Sequence, residues 1–416
     1  MVRDTDVIPR GSSLEGLTIL LGIAGGIAAV ESVRLARELR RHGASLRIVM
    51  TTSAQSILRP KALEWASQEQ VITAWDPALK QLDDVDGLLI APATRNLMAS
   101  HLHGMMSSPL LMAMSAARRR GTPVMLVPSM HDDLAEDPVT ERLVKDLRSP
   151  TTSILWSESD EGRRKQPDAT HVVASFSHHL RAMEVDRRSV VVTLGATRSP
   201  IDDVRSIQNR SSGQTGWRIA EDLHRHGHDV TVVAGSTTDP PSFPLPLVIH
   251  APEPSEMLAE LLAIAKDDID AWVHAAAVLD YVVEEPVEGK IASLQGRLDL
   301  ALVEGTKHIM ELAPHCEGSV RIGFKLESGV KLRDLIPPAL AQLERAQMTA
   351  VIANRLEDLV DPKRPRAHMV DRQGASWVLE SQADVNRAIR TLIERGPWCV
   401  GSRFWAIGPT PKAHGR

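Results

Sequence analysis

The chain has 416 residues, a formal net charge of −5 at pH 7, 43% hydrophobic residues and 24% charged residues. These values exclude a disordered, collagenous or disulfide-scaffold protein, and the length predicts two or three domains. Negative net charge and an aromatic content of 3% exclude a basic or base-stacking binder of nucleic acid.

Cores must therefore be built from Leu, Val, Ile, Ala and Met, which suits buried parallel strands covered by helices. The two cysteines, Cys316 and Cys399, have no metal-ligand spacing. They predict reduced thiols and a cytoplasmic protein. Arg3 and Arg10 precede an apolar run, 17–30, that mimics a signal peptide. Gly22, Gly25 and Gly26 interrupt that run and an amphipathic stretch follows it, so strand, turn and helix are predicted instead. No apolar stretch reaches the roughly 18–20 residues that span a bilayer, so no membrane association is expected.

In chain order, a tail over 1–16 is followed by a strand Thr18–Ile23, a helix Ala28–Arg41 and a strand Leu46–Met50. His42-Gly43 is a common helix stop. Strands Gly87–Ile90 and Val124–Val127 follow, with helices between. The charge-dense segment 157–168 reads as a mobile loop or lid, followed by a helix near 175–184 and a linker at 185–188. The pattern then restarts with strand Ser189–Leu194, a helix from Thr215 to near His226, and strand Asp229–Val233. A Pro-rich surface loop is read over 239–246, then strands Ala271–His274, Val320–Phe324 and Ala350–Ala353. The extension 396–416 has no period. Strands alternating with helices predict an α/β fold of two doubly wound, Rossmann-like domains with mostly parallel sheets, 17–185 and 186–395. Ligands in such folds bind at the carboxyl ends of the strands.

The first half places its distinctive residues at those ends. Gly25-Gly26-Ile27 follows the first strand and Thr51 the second. Pro92-Ala93-Thr94 and then Met130-His131 follow the next two. In order and spacing these segments resemble the FMN-binding phosphopantothenoylcysteine decarboxylases, over about 17–180. The resemblance implies FMN held by Gly25, Gly26, Ile27, Thr51, Pro92, Ala93, Thr94 and Met130, with His131 catalytic. There are departures. Gln81 stands where that family has a histidine, and the lid segment Trp156-Ser157-Glu158-Ser159 lacks the family's proton-donating cysteine.

In the second half, Gly195 ends a strand, and Asn209-Arg210-Ser211-Ser212-Gly213 opens a helix with small residues that suit a phosphate. Asn209 is an uncharged donor and acceptor, suited to an acyl-phosphate intermediate. His274-Ala275-Ala276-Ala277 ends another strand, and Asp280 beyond it suits Mg2+ or a ribose hydroxyl. Lys290 and Lys307 each follow a glycine-containing turn, as phosphoryl-charge partners or as solvated surface charges. Phe324-Lys325 ends a further strand. This set resembles the phosphopantothenate–cysteine ligases over about 188–395. The resemblance implies that the carboxylate of 4′-phosphopantothenate is activated by CTP or ATP and then captured by cysteine. It implies nucleotide contacts from Gly195, Ser211, Ser212, Gly213, His274, Ala275, Ala276, Asp280, Lys290, Lys307, Phe324 and Lys325. Asn209 and Lys290 are then catalytic and Asp280 the metal ligand. Lys290-Ile291-Ala292-Ser293 carries one lysine where those ligases have several, which leaves CTP against ATP open.

The two families fused in this order are the arrangement of bifunctional coenzyme A biosynthesis proteins, which implies homo-oligomers through flavoprotein trimers and ligase dimers. Three readings follow from the departures. Both halves are active, or the ligase alone is active on a flavoprotein scaffold, or the chain is a non-catalytic FMN-binding module.

Overall fold

The computed structural model describes residues 3–75, 85–184, 186–293, 296–359, 361 and 363–396. Gln81, Cys399 and the rest of 397–416 lie outside the described residues. Two compact units adjoin in sequence at Val185 and Asp186.

The first unit runs β1 (Thr18–Ile23), α1 (Ser32–Arg41), β2 (Ser45–Met50), α2 (Thr52–Gln55), α3 (Pro60–Ser67) and β3 (Val71–Ile72). It continues with β4 (Gly87–Ala93), α4 (Arg95–Leu102), α5 (Pro109–Arg120), β5 (Val124–Pro128), β6 (Met130–His131) and α6 (Asp132–Ala135). It ends with α7 (Pro138–Leu147), β7 (Thr152–Ile154), β8 (Ser159–Asp160), β9 (Arg163–Arg164) and α8 (Ala169–Arg181). The main sheet has the order β3-β2-β1-β4-β5-β7, parallel throughout. Alternation along the strands sends side chains to both faces. Ile19, Leu21 and Ile23 pack with α1, α3 and α8, while Leu20, Leu88 and Ile90 pack with α4, α5 and α7. Burying each such side chain is worth about 1.5–3 kcal/mol. Thr51, Thr94, Ser108, Asp137 and Asp168 cap the following helices by accepting first-turn N–H groups.

Four sequence expectations need correction here. The first helix starts as a 3-10 turn over Ile27–Glu31 and becomes α-helical only at Ser32. Residues 3–16 are not a free tail. Leu14 is fully buried, and Ser13 Oγ lies within hydrogen-bond distance of His42 and Ser177. Arg10 joins Arg41 and His42 around the buried Glu38. Burial alone would raise that carboxyl, but these partners hold it down at about 2. The segment 157–168 is no open loop, because β8 and β9 form a hairpin that pairs with β6. The helix expected near 175 begins at Ala169, where Asp168 accepts from Thr170 and His171.

The second unit runs β10 (Ser189–Leu194), β11 (Arg198–Pro200), β12 (Ser206–Gln208), α9 (Gln214–Arg225), β13 (Asp229–Ala234) and β14 (Leu247–His250). Next come α10 (Pro254–Ile264), β15 (Ala271–His274), β16 (Tyr281–Val283), β17 (Leu302–Glu304), α11 (His308–Glu311) and β18 (Val320–Glu327). The last elements are α12 (Ile336–Arg345), β19 (Ala350–Arg355), α13 (Leu356–Leu359), β20 (Ala367–Asp371), β21 (Ser376–Leu379) and α14 (Gln382–Arg395). The sheet order is β14-β13-β10-β15-β18-β19-β20-β21, parallel up to β19 and antiparallel beyond it. The fold is thus α/β and mostly parallel in both units, as predicted. On one face Val191, Val233 and Trp272 pack with α10, and Val351, Ala353 and Val370 pack with α12. On the other, α9 approaches β10 so closely that a Cβ on Gly216 would lie 2.3 Å from Leu194 Cβ.

Arg321 on β18 is buried and donates to the carbonyls of Ile309 and Ala346, tying α11 and the end of α12 to the sheet. The Pro-rich loop 239–246 is also more than surface. Phe243 and Leu245 are buried, and Ser242 donates to Glu221 from both its N–H and its hydroxyl. No helix among the described residues is long and apolar enough to cross a membrane.

Candidate active sites

In the first unit, three loops converge at the carboxyl ends of β1, β2 and β4. Ala24 donates to the Pro92 carbonyl at 3.1 Å, and Thr51 N–H to the Ile23 carbonyl at 3.0 Å. Only glycine fits at 25, since a Cβ there would lie 2.2 Å from Ser53 Cβ. At Gly26 a Cβ would come no nearer than 3.8 Å, to Thr94 Cγ2, so this edge stays open. The Thr51 and Thr94 hydroxyls accept from Ala54 and Leu97, both at 3.3 Å, and each keeps an O–H to donate. Pro92 and Ala93 are buried, while Ile27 is 78% exposed. Gly25, Gly26, Ile27, Thr51, Pro92, Ala93 and Thr94 therefore share one edge. Its small residues, hydroxyls and exposed apolar side chain fit a flat ring that carries a phosphate.

Met130 and His131 form β6, paired with Arg164 and Arg163 of the hairpin. Asp132 accepts from Ser159 and pairs with Arg164 at 3.7 Å, and Arg164 lies 5.6 Å from the Trp156 ring centroid. The hairpin thus rests on the strand end that carries His131. Nothing in the local sequence marks Asp132 as the residue that ties His131's strand to the hairpin, because its partners lie 27 or more residues away.

In the second unit, Asn209 follows β12 and donates its amide to the carbonyls of Ala277 and Val278, both at 3.1 Å. That contact brings the Asn-Arg-Ser-Ser-Gly segment to the Ala-rich end of β15. The Ala-rich loop is fastened from beneath. Ala275 donates to the Thr193 carbonyl, Ala276 to the Thr193 hydroxyl, Ala277 to the Gly195 carbonyl and Leu279 to the Thr197 hydroxyl. Nothing in the local sequence marks Thr193 and Thr197, because their role depends on a crossover between non-adjacent segments. Gly195 (φ +78°) and Gly213 (φ +81°) hold left-handed turns pressed against 235–237. Asp280 pairs with Lys307, and the Gly305 N–H donates to the Asp280 carbonyl at 2.8 Å. Ser211 and Ser212 hydroxyls accept from Gly213 and Gln214 at the start of α9. Lys325 pairs with Glu327, and the Phe324 carbonyl accepts from Gln342.

His274 is a correction. Its ring is buried and stacked on Trp272 at 6.3 Å, so it does not present a side chain at the open strand end. Burial lowers its imidazole from the ordinary 6.5 to about 3, and the charges of Arg321 and His308 add to the effect. His308 is held at about 4, again chiefly by burial. Asp202 is also buried. Burial would raise its carboxyl, but the N–H groups of Val204, Ile291 and Arg205 and the Arg205 charge pull it below its usual value. Among the described residues no three His, Cys, Asp or Glu side chains group as a metal cage.

The family model described as "DNA/pantothenate metabolism flavoprotein C-terminal domain" matches residues 185–395, about half of the chain. The model described as "Flavoprotein" matches residues 8–181. The coenzyme A biosynthesis bifunctional protein CoaBC of Thermococcus kodakarensis is 32% identical over 357 residues, 84% of this chain and 87% of that protein. The CoaBC of Methanocaldococcus jannaschii is 29% identical over 352 residues, covering 83% and 85%. The CoaBC of Mycolicibacterium smegmatis is 29% identical over 390 residues, covering 87% and 91%. With both halves matched in the same order, this chain belongs to the CoaBC family of bifunctional coenzyme A biosynthesis proteins.

Proposed function

We propose that the second unit joins 4′-phosphopantothenate to cysteine at the expense of CTP or ATP, and that the first unit decarboxylates the product to 4′-phosphopantetheine with FMN. The single observation that carries the ligase reading is the Asn209 amide on the Ala277 and Val278 carbonyls. It joins the helix-opening segment to the loop after β15 that leads to Asp280, whose ion-pair partner Lys307 directly precedes α11. The substrate carboxylate attacks the nucleotide α-phosphate and pyrophosphate leaves. The cysteine amine then displaces the nucleoside monophosphate and forms the amide. Asn209 keeps its carbonyl oxygen free to orient the acyl-nucleotide without attacking it. Lys290 and Lys307 balance phosphate charge, and Asp280 holds Mg2+ or the ribose. Gly195, Ser211, Ser212, Gly213, Ala275, Ala276, Phe324 and Lys325 line the nucleotide.

In the first unit Gly25, Gly26, Ile27, Thr51, Pro92, Ala93, Thr94 and Met130 would hold FMN. When bound, that group would take two electrons from the substrate so that its carboxylate can leave as CO2, and would return them, with a proton, to give 4′-phosphopantetheine. His131 would hold a proton at that carboxylate. The second reading, a working ligase on a flavoprotein scaffold, is favoured by one observation. The segment 156–164 that leads into and forms the hairpin beside His131 carries Ser157 and Ser159 and no cysteine. On this reading the protein acts in the cytoplasm, its flavoprotein halves forming trimers and its ligase halves dimers.

Sustained pyrophosphate release should require 4′-phosphopantothenate, cysteine and a nucleotide together, with no more than one pyrophosphate per site when cysteine is left out. No release with CTP or ATP would sink the ligase reading. CO2 release from phosphopantothenoylcysteine, abolished by His131→Ala, supports two active halves. A yellow protein with no CO2 release supports the scaffold reading.

A further inference from the structure

Lys290 is exposed and lies outside regular secondary structure. A lysine on such a segment has many conformations to lose before it meets a phosphate. Here the backbone on both sides of it is held. Gly289, immediately before it, has φ +78°, and its carbonyl accepts from Asp203 at 3.2 Å. Ile291, immediately after it, donates its N–H to Asp202 Oδ2 at 3.1 Å, and its carbonyl accepts from Arg205 at 3.3 Å. Upstream, the Val287 N–H donates to the Ile201 carbonyl at 2.9 Å.

The other end of this clamp is rigid. The Asp202 side chain is fully buried. Its Oδ1 accepts from Val204 at 2.9 Å and from Arg205 N–H at 2.6 Å, and its Oδ2 pairs with the Arg205 guanidinium at 2.6 Å. The segment that carries Asp202 links β11 to β12, and β12 runs directly into Asn209. One carboxylate therefore couples the Lys290 loop to the strand that delivers Asn209.

We propose that Asp202 is a positioning residue for Lys290 in the ligase half. It fixes the Ile291 peptide and so sets where the Lys290 ammonium meets the nucleotide phosphates. The proposal rests on the ligase reading above and names a residue outside the set assigned there.

The test uses the full-length chain and two readouts. Asp202→Asn keeps the side-chain shape and loses the charge. The kcat for pyrophosphate release should fall about tenfold with the KM for cysteine unchanged, and the same substitution in a Lys290→Met background should add less than about a twofold loss. Effects that multiply in the double variant overturn the proposal. The second readout is tryptic cleavage after Lys290, which requires the Ile291 peptide to leave its clamp. Cleavage should be slow in the wild type and at least about fivefold faster in Asp202→Asn. Equal rates overturn the proposal.

If Asp202→Asn does not fold, Gly289→Ala carries the test. A Cβ there meets nothing within 4 Å but strains the left-handed turn. The same kcat loss and the same non-additivity with Lys290→Met are expected, and their absence overturns the proposal. A wild type that releases no pyrophosphate overturns the ligase reading and with it the catalytic part of this one. The tryptic rates then still decide the clamp.

Discussion

Lys307 and Asp280 form an ion pair at the carboxyl end of β15, though 27 residues of chain separate them. The carboxylate suited to Mg2+ or a ribose is thus met by an ammonium suited to a phosphate. An incoming nucleotide–Mg2+ would exchange both partners for its own charges. Asp280→Asn is expected to raise the nucleotide KM about ten- to a hundredfold, in line with roughly 1.5–3 kcal/mol for a hydrogen bond to a charged group. Steady-state kinetics at fixed cysteine check this. A KM within about twofold of the wild type would place Asp280 outside the site.

Asn209→Asp tests the contact that assembles the ligase site. The substitution replaces an N–H donor by an anion facing the Ala277 and Val278 carbonyls. Two donor bonds become repulsive, at a cost of about 1–3 kcal/mol for the carbonyls left unpaired. We expect a lower denaturant midpoint and at least a hundredfold loss of pyrophosphate release. Normal activity would remove Asn209 from the reaction.

Acid should weaken the second unit before it titrates surface carboxylates. His274 and His308 are lowered from 6.5 to about 3 and about 4. Both are neutral in the folded state and take up a proton more readily when unfolded. Their contribution is fully present above about pH 6.5 and is lost as pH falls through the interval toward 3–4. The limiting slope is about 1.4 kcal/mol per pH unit for each imidazole. Urea unfolding of the second unit's transition at pH 7.5 and at about pH 5 checks this. His274→Gln should flatten the dependence, and an unchanged slope would show that His274 is not the group responsible.

Gly25→Ala probes the first unit. The added Cβ would lie 2.2 Å from Ser53 Cβ and 2.8 Å from the Ser53 carbonyl carbon. Overpacking of this kind costs about 1–3 kcal/mol. Because backbone must move at the edge shared with Thr51 and Thr94, visible flavin absorption per chain should fall well below that of the wild type. Full flavin content in a stable Gly25→Ala protein would move the cofactor away from this edge.

Local chemistry was enough for several features. The apolar runs Thr18–Ile23 and Ser189–Leu194, each followed by a glycine turn, appear as strands at those residues. The alternation of strands and helices implied the parallel sheets, because a parallel crossover needs a helix. What failed was whatever depends on distant partners. The segment 157–168 looked like a loop because its polarity says nothing of the ladder it shares with Met130 and His131. Leu14 looked like part of a tail because its burial is created by the sheet and helices packed over it.

The amino-acid sequence by itself determined the order of two α/β units, the glycine turns and the identity of the polar residues at the strand ends. Only the tertiary structure decided which of those residues meet. Asn209 reaches Ala277, Lys307 reaches Asp280 and Asp202 reaches Ile291 because parallel crossovers return separate loops to one sheet edge. It also turned His274 inward. A side chain's face is set by strand register, and His274 shares the face of Trp272 beneath α10.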